Sequence, residues 1–355
     1  MQKEHTGRKT NYELLRILAM AMVITLHYLG KGGFLTDGKE PFVLPDYLAW
    51  FAEAFCVVAV DVYVLISGYF LVDSSFRVSK LLKLWLQIAF YSIGVPAVLF
   101  LTGVLPREEI YLERLLTWVF PVLREHYWFA TAYVVLYLFA PLLGKAVRNI
   151  PKKQLEQILV LALLIFSVSK SLLPVNWPMD TGGYDAVWFL CLFLTAAYIR
   201  LYGVPFLEKH GGIIYLSCSM AIFGLMCCYR MIFQRTGRLG DFLTGTYHYN
   251  HILCLLSAAA LFVFFGKIRI TSEKLSKLIL RTASCTFGIY LLHENEAVRY
   301  LWPKWLGADI LQGTPAFLTG VVIAVLALFA AGILVELVRQ WIFGHIFQGF
   351  SKARS

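Results

Sequence analysis

Arg16 and His27 lie in the stretch YELLRILAMAMVITLHY, an otherwise apolar run long enough to cross a bilayer. Ionisable side chains in such a run are costly and mark functional positions by default. On a helix, the steps from Arg16 to His27 complete whole turns to within roughly 20° and climb about 16 Å, so both fall on one face. Their chemistries differ. A forked, permanently charged guanidinium suits phosphate or carboxylate, and a neutral imidazole is a general base near pH 7. A cation near one membrane face and a titratable nitrogen near the other would share one wall of a channel, which fits a substrate that threads into the membrane. Glu13, three residues before Arg16, could hold the guanidinium in place. The plainer explanation is that Arg16 snorkels to the inner interface and His27 caps an outer helix end.

Four further groups carry candidate chemistry. Asp61, with Ser67-Gly68-Tyr69, sits in FCVVAVDVYVLISGYFLV, where a carboxylate costs roughly 2.5–3.5 kcal/mol on insertion scales unless paired or protonated, so it is expected to face the bundle interior. Ser67 and Gly68 can also serve simply as small residues for close helix packing. Arg77, Lys80 and Lys83 open the third apolar run, where an anionic ligand from the cytosol would meet them first; ordinary retention of positive charge on the inner side explains them as well. Glu125, His126, Tyr127, Trp128 and Phe129 head the fourth run, and these aromatics, like Trp188, suit either interfacial anchoring or stacking on sugar rings. His293 and Glu294, followed by Arg299, are adjacent acid and base candidates at the outer end of the ninth run. His248 and His251 lie three apart but have no third ligand pattern nearby, and no metal is expected.

These residues need helices in a membrane to position them. Of the 355 residues 59% are apolar and 15% charged, with a mean hydropathy of +0.67, too little polar material to cover a soluble globule. Apolar runs recur near 12–29, 48–72, 84–103, 127–144, 154–173, 184–202, 212–233, 250–266, 282–297 and 317–341. The reading is an all-α integral membrane protein of about ten transmembrane helices. With the N-terminus inside, most of the 32 Lys and Arg fall on the inner side, so both termini are expected to be cytoplasmic. Topology and anionic inner-leaflet lipid then account for the net charge of +10 without nucleic acid. Glu13 and Arg16 interrupt any signal-peptide core, so the first span is expected to be retained. The segment 104–126 mixes charges with Ile110, Leu112, Leu115, Leu116 and Trp118 and reads as an interfacial helix. The seven cysteines all fall in apolar runs and read as buried small hydrophobes, with no disulfide or zinc pattern. No repeat or linker is visible, so residues 1–355 read as one integral membrane domain.

Taken in order along the chain, these motifs resemble acyltransferase family 3, the integral membrane O-acyltransferases of bacteria. The resemblance runs nearly end to end. It rests on Arg16, ten residues and His27; on Asp61 followed by Ser67-Gly68-Tyr69-Phe70; and on YWFATAYVVLYLFAPLLGK, GGYDAVWFLCLFLTAAYIRLYG and TFGIYLLHENEAVRYLW. Two departures stand out. Arg77 and Lys80 occupy a place where the family has Arg-x-x-Arg, and Lys cannot reproduce a bidentate guanidinium contact. Gly144 stands where related sequences often have Asn.

The resemblance implies transfer of an acyl group, commonly acetyl, from cytoplasmic acyl-CoA to a hydroxyl of a cell-surface or lipid-linked glycan, in the bacterial cytoplasmic membrane. No permanently bound cofactor is implied; acyl-CoA is a substrate. Arg16, with Arg77 and Lys80, would hold donor phosphates, and His27 would be either general base or transient acyl carrier. Asp61 would neutralise Arg16 or orient a polar network, while Trp128, His293 and Glu294 are acceptor-side candidates. Two other classes remain open on sequence alone, a transporter of a small polar solute such as an amino acid and a non-catalytic scaffold in polysaccharide assembly.

Overall fold

The computed structural model describes residues 9–36, 42–173 and 180–352, and every regular element among them is helical. Parts of the two termini expected in the cytoplasm (1–8 and 353–355) lie outside the described residues. Eight helices are long and apolar enough to cross a membrane: α1 (Thr10–Lys31), α2 (Leu44–Leu71), α3 (Val78–Leu101), α5 (Trp128–Asn149), α6 (Lys152–Leu172), α8 (Pro205–Thr236), α10 (Glu273–His293) and the apolar part of α11 (Phe317–Lys352). Two shorter apolar helices, α7 (Ala186–Tyr202) and α9 (Ile252–Gly266), fall at the sixth and eighth expected spans. Both are largely buried, so protein rather than lipid surrounds them and their length need not match the hydrocarbon thickness.

The apolar patterning explains the arrangement. In α1 and α2, 61% and 67% of the most apolar window is buried, against 11% in α6, so the first two helices form the centre. Leu82, Leu101, Leu142, Val160, Ile213 and Leu326 on the outer helices are exposed, as expected of surface solvated by lipid rather than water. Close approach within the centre needs small residues. A Cβ on Gly68 would come within 3.0 Å of Ala196 Cβ and 3.2 Å of Phe193 Cα, which lets α2 and α7 pack tightly. A Cβ on Gly144 would lie 2.3 Å from the Val72 carbonyl oxygen, so this contact between α5 and α2 has no room for Asn. The two departures from the family pattern thus differ in kind, since Gly144 has a packing reason.

Three expectations change. The ninth span, expected over 282–297, runs from Glu273 to His293 and stops there, because its polar first turns continue the helix beyond the apolar segment. The 104–126 segment forms a single 3-10 turn (Arg107–Glu109) and a short helix, α4 (Leu112–Val119). Its Trp118 is buried against Leu99, Ala297 and Val298, and its indole donates to Glu296 at 2.8 Å. It is docked on the protein as well as amphipathic. Trp188 is no interfacial anchor either; it is buried at the head of α7. The cysteines are all free and within helices, but only Cys191, Cys254 and Cys285 are buried as expected; Cys56, Cys218 and Cys227 are half-buried and Cys228 is exposed.

Candidate active site

His27 projects from α1 against the end of α10. Its Nδ1 lies 3.0 Å from His293 Nε2 and 3.1 Å from Glu294 Oε2. His293 Nδ1 is 2.6 Å from the Ile289 carbonyl oxygen, an acceptor only, so that nitrogen carries a proton. With both rings neutral, His293 Nε2 then accepts, His27 Nδ1–H donates, and the lone pair of His27 is left on Nε2. The Trp302 indole donates to the His293 carbonyl at 3.0 Å and braces the turn that follows. This chain of acceptors fixes tautomer and orientation together, the arrangement that a base or nucleophile needs.

Glu294 is buried and surrounded by cations. Lys31 Nζ contacts its Oε2, and Arg299 Nη1 lies 3.8 Å from Oε1. Among the described residues, His27, His293 and Glu294 are the one grouping whose ligand atoms could bracket a metal, all within 4.8 Å. Lys31 already occupies the oxygen that such an ion would need. The group therefore reads as a hydrogen-bonded relay.

Three adjoining cavities run through the centre. The first, about 500 Å³, is lined by His27, Val60, Trp128, Tyr249 and Tyr290 among others. The second, about 720 Å³, holds Arg16, Ser67 and Tyr133. Tyr63, Phe129 and Phe287 line both, so three aromatic side chains form the wall between them. The third, about 830 Å³, opens beside Lys80, Lys83 and Arg339 and shares Leu84 and Gln87 with the second. Arg16 and His27 thus face successive chambers on one line, as their shared helix face predicts.

Arg16 is partly enclosed. Its Nη1 is 3.8 Å from Glu13 Oε2, its carbonyl accepts from Tyr63 at 2.9 Å, and its buried Nε has no hydrogen-bond partner among the described residues. A guanidinium with unused donors lining a cavity can take an anion. Asp61, by contrast, is not paired with Arg16. It is fully buried, accepts from the Trp188 indole at 2.9 Å, and lies 3.9 Å from Cys254 Sγ. Of the basic residues of α3, Lys80 and Lys83 line the third cavity; Arg77 is exposed at the helix start and does not.

Trp128 lines the His27 chamber and stacks on Tyr249, with ring centroids 5.9 Å apart and planes at 18°. Tyr184 packs against both rings, 4.7 Å from Trp128 and 4.5 Å from Tyr249. His126 accepts from the Glu296 amide at 3.4 Å, and burial holds its pKa down near 4. A separate polar cavity is lined by Lys170, Asp241, His248 and His251 among others. His251 accepts the Leu253 amide at 3.3 Å to cap α9; burial, and then His248, push its pKa down to about 4.

Two groups escaped the sequence reading. On α2, Glu53 Oε2 and Trp50 Nε1 are buried without partners among the described residues, as is Tyr247 OH, whose ring lies 4.6 Å from Trp50. On α11, Glu336 is 1% exposed and accepts from Tyr91 at 2.8 Å, Gln87 at 3.2 Å and Gln340 at 3.1 Å. Arg339 grips it with two donors, Nε at 2.9 Å and Nη2 at 2.6 Å. The signal for both was available, since an ionisable residue inside an apolar run is a functional candidate by default.

A family model described as an acyltransferase domain matches residues 9–336, which takes in every candidate except Arg339. No curated protein and no solved structure matches the chain.

Proposed function

Because the chain belongs to this acyltransferase family and has the apolar helices of a multi-pass membrane protein, we propose that it moves an acyl group, most simply acetyl, from cytoplasmic acyl-CoA to a hydroxyl on the outer side of a bacterial cytoplasmic membrane. Ten spans with both termini inside put the Lys80 end of the bundle in the cytosol and the His27 end outside. The observation that carries this reading is the line of three cavities, with cations at one end, Arg16 in the middle and His27 at the other. Donor phosphates stay among the cations, and the slender thioester arm passes between Tyr63, Phe129 and Phe287. The cofactor itself need not cross.

At His27 the balance of the step is simple. The acceptor oxygen attacks the thioester carbonyl as its proton moves to His27 Nε2, the carbon–sulfur bond breaks, and the proton leaves with the CoA thiol. In the variant with a carrier, Nε2 itself attacks the thioester carbonyl and the carbon–sulfur bond breaks to release CoA thiolate; the acceptor hydroxyl then attacks the acyl-imidazolium, the carbon–nitrogen bond breaks, and the hydroxyl proton leaves with the CoA thiol. Either route builds positive charge on the ring, which Glu294 stabilises across 3.1 Å. The Trp128, Tyr184 and Tyr249 rings at the His27 chamber suit an acceptor with apolar ring faces, as a glycan has.

Detergent-solubilised membranes containing wild type or His27→Ala, given radiolabelled acetyl-CoA and a crude envelope glycan extract, test the proposal. Label should enter the acceptor with wild type alone. Equal incorporation by both forms removes His27 from the chemistry, and consumption of no donor by wild type sinks the acetyl-CoA assignment.

A further inference from the structure

The third cavity has a feature that the family motif does not contain. Its cations come from two helices, Lys80 and Lys83 from α3 and Arg339 from α11. Arg339 lies beyond the last residue of the family match. Its guanidinium is not a loose surface charge. Two of its donors are fixed on Glu336, and that carboxylate is itself held by Tyr91, Gln87 and Gln340 from two helices. A Cβ on Gly288 of α10 would lie 2.5 Å from Tyr91 OH and 2.6 Å from Glu336 Oε2, so a third helix closes over the network.

Such a scaffold costs a buried carboxylate and orders a long side chain, which is out of proportion to a general attraction for anions that Lys80 and Lys83 already supply. What it adds is direction. Lys offers a point charge, whereas a braced guanidinium presents its remaining N–H groups in a fixed plane that matches phosphate oxygens. Arg77, the guanidinium that the α3 motif offers, is not in the cavity wall.

We infer that Arg339, positioned by Glu336, is the phosphate-reading residue of the donor mouth and recognises the 3′-phosphate of the CoA nucleotide, with Lys80 and Lys83 adding charge. This rests on the acyl-CoA reading above. The diphosphate, nearer the pantetheine arm, is left to Arg16 in the adjoining chamber. A phosphate monoester carries about −1.5 to −2 charges at neutral pH, the strongest anion on such a donor and the best match for a fixed fork flanked by two ammonium groups.

Binding to the purified full-length protein in detergent, measured by calorimetry with CoA and with dephospho-CoA, separates the possibilities without any turnover. Wild type should bind CoA about tenfold to a hundredfold more tightly than dephospho-CoA, the span expected for one strong charge-assisted contact. Arg339→Gln should remove most of the preference for CoA, leaving the smaller part that Lys80 and Lys83 supply, and leave dephospho-CoA within about twofold of wild type. Arg339→Lys, which keeps the charge and loses the fork, should keep only a minor part of the discrimination. Glu336→Gln should weaken CoA selectively as well, since it frees the guanidinium without removing it. Equal weakening of both ligands by Arg339→Gln would mean a general electrostatic role and overturn the inference, as would full discrimination in Arg339→Lys. If wild type binds both ligands equally well, the 3′-phosphate is not read and the inference fails while the CoA reading stands. If wild type binds neither, both fail.

Discussion

Replacing Glu294 with Gln keeps the shape of the relay and removes its charge. In the proposed mechanism the His27 ring carries positive charge at the transition state, and the Glu294 carboxylate oxygen lies 3.1 Å from its Nδ1. At an effective dielectric constant of about 20, a full charge pair at that distance is worth about 5 kcal/mol. With proton transfer about half complete, roughly 2.5 kcal/mol of this is felt at the barrier, or about a hundredfold in kcat. Lys31 and Arg299 sharpen the effect, because both would then face the ring with no carboxylate between them. Glu294→Gln combined with Lys31→Met should therefore recover about half of the lost free energy, since one repelling charge goes with the attracting one. The assay is initial-rate transfer of label from acetyl-CoA in membranes, with gel-filtration behaviour and CoA affinity as controls for folding. A Glu294→Gln variant within threefold of wild type in kcat would refute the electrostatic account. So would a double variant slower than Glu294→Gln alone, because that would assign Lys31 a part of its own in the chemistry.

Other outcomes follow from the same geometry. His293→Ala removes the 3.0 Å partner of His27 but leaves Glu294, so kcat should fall about tenfold with little change in donor KM, and a kcat as low as that of His27→Ala would refute a merely orienting role for His293. Asp61→Asn keeps an acceptor for the Trp188 indole and should hold kcat within about threefold. Asp61→Leu orphans that indole and should cost about 1–3 kcal/mol of stability, seen as a lower thermal midpoint in detergent. Gly144→Asn should destabilise by about 1–3 kcal/mol or more, because its side chain meets Val72 O, and unchanged thermal stability would contradict the packing described. His251 is held neutral in the fold, with its pKa near 4 against about 6.5 unfolded, so the unfolded chain binds the extra proton first. Stability from this site should be complete above about pH 6.5 and decline towards pH 4, and His251→Asn, which can still cap the helix, should flatten that acid slope.

Much of the site's axis was legible in advance because it is local. Arg16 and His27 share a helix, and helical pitch alone puts them on one face, so the sequence carries their relation without any tertiary knowledge. His293 and Glu294 were visible as candidates, but their place against His27 was not, since 266 residues separate the two histidines and no periodicity encodes that contact. Asp61 reads as neutralising Arg16 or orienting a polar network; in the folded chain it meets an indole and a thiol instead of Arg16, partners that no charge-counting rule anticipates. Arg77 and Lys80 read together as donor-side cations; in the fold Lys80 lines the third cavity, whereas Arg77 precedes the first helical turn on extended backbone and lies outside the wall. Glu53 and Glu336 were passed over within apolar runs whose mean hydropathy hid them. The helix count is similarly mixed: all ten apolar runs become helices, but eight are of spanning length while α7 and α9, at the sixth and eighth runs, are shorter and buried, which a hydropathy run does not reveal.

The aromatic wall between the two inner chambers bears on the cell's energy supply. A membrane enzyme that brings reactants together from opposite sides risks being a pore, and even a narrow file of water would let protons run down the gradient that drives ATP synthesis. Tyr63, Phe129 and Phe287 stand at the point where that file would form. If they part only around an acyl thioester, the substrate itself is the plug. Widening the wall to admit bulkier acyl chains would then be limited less by chemistry than by leakage, so growth under an uncoupling stress, rather than activity, would set how far those three side chains can shrink.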